Sequence, residues 1–119
     1  MKFLPKVEKF IKVLKSHTSS NSLNLYNPWR DFDGMYDIGK EAPQIRCDQL
    51  ENYLRNRVPH AKYIFVAEAL GFQGGHFTGI AMTSERILLG KHTNKKIQPS
   101  LVMNCKAQRT SNPKHCIKN

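Results

Sequence analysis

The residues best suited to chemistry fall within positions 62–90. A short apolar run, Tyr63-Ile64-Phe65-Val66, leads to the carboxylate of Glu68. A glycine-dense stretch follows, in which Gly71, Gly74, Gly75 and Gly79 surround Phe77. Glycine permits backbone geometry and close approach that a side chain would forbid. A carboxylate at the end of a strand can orient water, accept a proton or stabilise a developing cation. Phe77, framed by glycines, is placed to offer its ring as a flat stacking surface. Carboxylate and aromatic platform together point to a pocket for a planar, uncharged ring. Neither common phosphate-binding pattern is met: there is no Gly-x-Gly-x-x-Gly, and no Lys-Ser or Lys-Thr follows the last glycine.

Positioning these groups calls for a strand, a functional loop and a helix in succession. Residues 63–66 are β-branched or aromatic and apolar on both faces, the pattern of a buried parallel strand. Thr83 or Ser84 can cap a helix, Glu85 suits its first turn, and Gly90 stands where a terminating glycine belongs. Leu101-Val102-Met103 is a candidate second strand, which would make 62–103 a right-handed βαβ unit. In an open α/β sheet, ligands bind beyond the carboxyl ends of the strands, where Glu68 and the glycines fall.

At these residues the chain resembles uracil-DNA glycosylases of the branch with a Gly-Glu-Ala-Pro-Gly first motif. Ala67-Glu68-Ala69-Leu70-Gly71 and His76-Phe77-Thr78-Gly79 look like two of that family's motifs, with Ala67, Leu70 and His76 as departures. Asn27-Pro28-Trp29-Arg30 and Arg109-Thr110-Ser111-Asn112 are weaker echoes. The resemblance implies an α/β fold, the N-terminal part of a three-layer parallel-sheet domain. It implies that Glu68 serves the hydrolytic water, that Phe77 stacks on an extruded base, that Ala69 and Gly71 border that base, and that Asn104 or Asn112 reads its polar edge, with an exposed turn asparagine as the plainer reading of either. The reaction implied is metal-free and cofactor-free hydrolysis of the N-glycosidic bond of uracil in DNA. The family's late His-Pro motif has no counterpart, because His115 precedes Cys116. The expectation is therefore a shortened member with little action on duplex DNA, completed by a missing C-terminal half or by self-association. A non-catalytic nucleic-acid-binding remnant and a small nucleotide-binding α/β protein are the alternatives.

Charge supports a polyanionic partner. The chain of 119 residues carries a net charge of +10, unevenly spread. Segment 91–119 holds Lys91, Lys95, Lys96, Lys106, Arg109, Lys114 and Lys118 with no carboxylate. The first sixteen residues add Lys2, Lys6, Lys9, Lys12 and Lys15 against Glu8. Such clustering is the footprint of a nucleic-acid binder, and Lys91, Lys95, Lys96, Lys106 and Arg109 are the candidate phosphate contacts. A solvated basic surface would look the same. No apolar run approaches the roughly 20 residues of a membrane span, and no secretory signal is visible. Three cysteines, an odd count, favour a reducing, cytoplasmic setting.

The rest of the chain reads as scaffold within one domain, ending in a basic, weakly structured segment over 91–119. Phe3, Leu4, Val7, Phe10, Ile11 and Leu14 recur at helical spacing, with Pro5 tolerable in the first turn. Residues 17–24 form a Ser- and Asn-rich linker, and Trp29 serves packing ahead of DNA contact. Asp48-Gln49-Leu50-Glu51 is a capping-box pattern, and Leu50, Tyr53, Leu54 and Val58 share a face of the helix it would open, closed by Pro59. Cys47 lacks a partner at the preceding Cys-x-x-Cys position, and three cysteines cannot hold a four-thiolate cluster. Cys105, Cys116 and His115 lack zinc-ligand spacing.

Overall fold

Two helices provide the frame, and irregular chain wraps around them. A computed structural model describes residues 4–18, 25–68 and 70–114. Helix α1 is Leu4–Ser16 and α2 is Ala42–Arg57. Two single turns follow, α3 over Gly75–Thr78 and α4 over Glu85–Leu88, and then a 3-10 turn at Pro99–Leu101. The 17–24 linker lies mostly outside the described residues.

The α/β expectation is overturned. Among the described residues there is no sheet, only an isolated antiparallel bridge between Asp37 and Ser111. Residues 63–66, expected as a buried parallel strand, are 82–87% exposed and carry no regular structure. Leu101-Val102-Met103 is not a strand either; it covers the end of the 3-10 turn, and Met103 packs into a core cluster. Both-face apolarity marks a strand only when neighbouring strands and cover exist, and among the described residues no strand lies beside either segment. The three-layer parallel-sheet architecture therefore does not apply.

The helices follow their sequence patterns more closely. Val7 and Ile11 of α1 are buried against Cys47 and Leu50 of α2, with Leu14, Trp29, Tyr53, Leu54 and Val58 around them. That is the i, i+4, i+7 spacing of one helix face. Phe10 and Val13 fall outside the stripe and are half exposed. Helix α2 begins earlier than the capping-box pattern suggested, at Ala42, with Pro43 in its first turn, where a missing N–H costs nothing. Arg55 and Arg57 in its last turn complement the helix dipole. A second cluster gathers Ile80, Leu88 and Met103, with Val102 and Ala107 at its margin. Tyr53 touches both clusters, and the Arg57 guanidinium lies 3.8 Å from its ring centre.

Helix α4 matches its capping residues. The Ser84 side chain accepts from Ile87 N at 3.4 Å. Gly90 has φ +71°, and Lys91 N donates to Arg86 O while Gly90 N donates to Ile87 O. Those are the two bonds of a Schellman stop.

Candidate functional site

The glycine-rich stretch after Glu68 is a tightly held loop. Gly71 O accepts from Gly74 N and His76 N, and α3 follows at once. Gly79 closes α3 in the left-handed region, φ +73°. A Cβ there would meet Arg46 O at 2.8 Å and Trp29 Nε1 at 2.9 Å, so the position requires glycine on both conformation and space. Trp29 Nε1 donates to Gly79 O at 3.1 Å, and Gln49 Nε2 donates to Thr78 O at 3.1 Å. The Thr110 hydroxyl contributes a short hydrogen bond to Phe77 O. Three distant segments thus converge on residues 77–79.

Behind this loop stands Arg46, which is fully buried. Its guanidinium pairs bidentately with Asp37, Nη1 to Oδ1 at 2.7 Å and Nη2 to Oδ2 at 3.0 Å. Nη2 also donates to Tyr26 Oη at 2.9 Å and to Asp31 O at 3.2 Å, and Nε donates to Pro28 O. One side chain of α2 therefore organises the whole 26–37 loop, and the planar fork of arginine suits that task. The half-buried Tyr26 phenol has its pKa raised far above the ordinary range, because burial disfavours the phenolate more than Arg46 favours it. Asn27 joins the same loop to α1, its Nδ2 donating to Leu14 O at 2.7 Å and to His17 O at 3.0 Å.

Glu85 plays a similar part for the C-terminal segment. Its carboxylate accepts from Thr110 N at 2.6 Å and Ser111 N at 3.0 Å, and from the Ser111 hydroxyl. Ile38 N donates to Thr110 O at 2.7 Å and Asn112 N to Tyr36 O at 2.6 Å, so residues 110–112 lie along residues 36–38.

Two cavities flank the loop, sharing Trp29 and Leu70. One, of about 470 Å³, is lined by Glu68, Ala67, Gly71, Gly74, Gly75 and Met82 together with the shared pair. Small residues leave its floor mostly backbone. A planar group could approach the peptide closely here, with a carboxylate at the exposed edge. The other cavity, about 430 Å³, is lined by Leu14, Leu25, Tyr26, His17 and His76 with the shared pair and is mainly apolar.

His76 lies in an aromatic cluster. Its ring stacks on Tyr26 at 4.5 Å and meets Phe72 at 4.9 Å and Phe77 at 4.6 Å. Nε2 is buried without a hydrogen bond, 3.8 Å from Asp33 Oδ2. Burial lowers the imidazole pKa, and the positive charge of Arg46 lowers it further, against smaller opposing effects of Asp37 and Asp33. At neutral pH the ring is uncharged, so the contact with Asp33 is neither a hydrogen bond nor an ion pair.

The structure brings together some of the residues singled out by sequence and separates others. Glu68 and Gly71 share the 470 Å³ cavity. Phe77 does not line it: the side chain is 4% exposed, its ring edge-on to Phe72 and His76. Ala69 lies outside the described residues. Asn104 is exposed and bound to α2, accepting from Asn52 Nδ2 at 2.8 Å and donating to Asn56 Oδ1 at 3.2 Å. Lys91, Lys95, Lys96 and Lys106 are exposed, whereas Arg109 is half-buried with Nε on the Ser111 carbonyl and hydroxyl. Lys106 and Lys15 both lie against residues 44–49 of α2, Lys15 Nζ donating to Gln44 Oε1 at 3.0 Å.

Arg46, Asp37 and the lining role of Trp29 have no mark in the local sequence pattern. The only available signal was a loop dense in aromatics and acids, Tyr26 to Asp37, with one unexplained arginine nearby. Among the described residues no group of three or more His, Cys, Asp or Glu is placed to hold a metal ion, and His115 and Cys116 lie outside them. No described helix is long and apolar enough to cross a membrane. The chain matches no protein-family model, no curated protein and no solved structure.

Proposed function

We propose that this protein binds nucleic acid through its cationic surface and receives an unstacked base in the Glu68 cleft. The carrying observation is the segregation of charge: Lys91, Lys95, Lys96, Lys106 and Lys114 are exposed in a stretch free of Asp and Glu. Exposed lysines on α1 add to it. A surface of that kind binds phosphates by releasing their counterions, which needs no particular fold. The cleft offers a planar ligand the Trp29 side chain, a glycine floor and one carboxylate. Aromatic side chains hold unpaired bases by stacking at about 1–3 kcal/mol per base.

A second reading, favoured by the pairing of Glu68 with Gly71 in one cavity, adds chemistry: hydrolytic excision of uracil from single-stranded DNA. In it Glu68 orients the water that attacks the sugar carbon, and the base leaves as its anion. Burial of Phe77 weighs for binding without turnover, because that ring is committed to its neighbours. One experiment covers both readings. Labelled single- and double-stranded DNA, with and without uracil, is titrated at two salt concentrations and then assayed for abasic sites. Steeply salt-dependent binding without abasic sites is the expected result. Abasic sites that vanish in Glu68→Gln select the second reading, and absence of binding at low salt removes both.

A further inference from the structure

Residues 63–66 are an exposed apolar stretch that neither the two cavities beside the loop nor the core explains. Tyr63, Ile64, Phe65 and Val66 are 82%, 87%, 86% and 87% exposed. Between Lys62 and Glu68 no backbone N–H or C=O is hydrogen-bonded among the described residues. Four consecutive large apolar side chains over unpaired backbone form a template for strand addition, which isolated folds usually blunt. Here the blunting charges stand only at the ends, Lys62 at one and Glu68 at the other.

That arrangement identifies the occupant. We propose that residues 62–68 pair antiparallel with the same residues of a second copy of this chain, forming a two-fold homodimer with Phe65 opposite Phe65. In this register Lys62 of each copy faces Glu68 of the other, Tyr63 faces Ala67, and Ile64 faces Val66. Each pair has the same parity, so partners project to the same face of the ribbon. One face carries Lys62, Ile64, Val66 and Glu68 from both copies; the other carries Tyr63, Phe65 and Ala67. Tyr63 meets the small Ala67, Ile64 meets the branched Val66, the two Phe65 rings meet each other at the centre, and both charged pairs are of opposite sign. A shift by two residues loses the charge pairs and sets Lys62 or Glu68 against an apolar partner. The surface is self-complementary, as a two-fold interface requires. In the ribbon every second residue exchanges its backbone N–H and C=O with the other copy.

The size of the contact sets its strength. Edge-to-edge pairing covers one flank of each strand and leaves both ribbon faces in water, so the contact falls below the roughly 1,200 Å² of specific interfaces. A reversible dimer of modest affinity follows. The inference shares Ala67 and Glu68 with the base-binding cleft but uses none of the lysines of 91–114, so association measured without nucleic acid tests it separately from that reading.

Sedimentation velocity of the full chain over a concentration series tests it. The expected result is a reversible monomer–dimer equilibrium. Phe65→Asp should abolish it while keeping the helical circular dichroism, because Phe65 is not part of the monomer core. Lys62→Glu and Glu68→Lys should each weaken the dimer by about tenfold or more, since each turns two attractive pairs repulsive. Combined, Lys62→Glu with Glu68→Lys should restore it, because the swapped ends are again complementary. A chain that stays monomeric at every concentration overturns the proposal and leaves the segment to a different protein. A dimer indifferent to Phe65→Asp, or a double charge swap that fails to recover association, overturns it as well.

Discussion

Replacing Arg46 with Met should nearly unfold this protein. The guanidinium and the Asp37 carboxylate are both fully buried, so the variant loses a bidentate ion pair and leaves a carboxylate in the interior. Asp37 keeps one hydrogen bond of its own loop, from Asp33 N at 3.0 Å, too little to replace a charge partner. Tyr26 Oη and the carbonyls of Pro28 and Asp31 lose a donor at the same time. Breaking one side of a buried pair costs about 3–5 kcal/mol. Small domains have about 5–15 kcal/mol in all, and two small apolar clusters put this one in the lower part of that range. Urea unfolding followed by circular dichroism and by fluorescence of Trp29, the single tryptophan, reads the loss at the loop itself. Arg46→Lys should recover only part of it, since lysine keeps the charge without the fork. Arg46→Met combined with Asp37→Leu should cost less than Arg46→Met alone, because no orphaned charge remains. A single variant within about 1 kcal/mol of the parent would refute the reasoning, since that is the size of an ordinary surface change.

Three further outcomes follow from the same geometry. Gly79→Ala should destabilise by at least about 1–2 kcal/mol, from left-handed strain together with displacement of Trp29, read as a lower urea midpoint. Glu85→Gln should cost about 1–3 kcal/mol by removing a charged acceptor from two backbone amides, and amide exchange at Thr110 and Ser111 should quicken before that of α2. Because His76 has its pKa lowered in the folded protein, the unfolded chain binds more protons below the ordinary imidazole value of 6.5. Its contribution is complete above that pH and is lost as pH falls toward the folded pKa. Thermal melts should drop on acidification through this window, and His76→Gln should flatten the drop.

The parts of the fold that the sequence made legible are those set by local chemistry. Ser84 and Gly90 mark the ends of α4 through capping bonds that span a few residues. The stripe of Val7, Ile11 and Leu14 places α1 on α2 because period alone defines the buried face. Residues 63–66 misled for the opposite reason: a strand is defined by neighbours distant in sequence, and apolarity alone cannot supply them. Arg46 was invisible because burial of a cation depends on partners supplied by the loop from Tyr26 to Asp37. Phe77 looked like a platform between glycines, yet those glycines let the chain close tightly enough to bury it. Glu68 and Gly71 did reach one cavity, since a short loop keeps near neighbours together whatever surrounds them.

The proposed binding of nucleic acid requires that exposed lysines of the acid-free stretch meet phosphate. Fluorescence anisotropy with a labelled single-stranded oligonucleotide, compared between the parent chain and Lys95→Gln/Lys96→Gln/Lys106→Gln, tests it most directly. The variant should bind more weakly, uniformly across sequences, with a log–log salt slope smaller by about two, since each phosphate contact on a single strand contributes about 0.7. An unchanged affinity and slope, with the variant still folded, would contradict it.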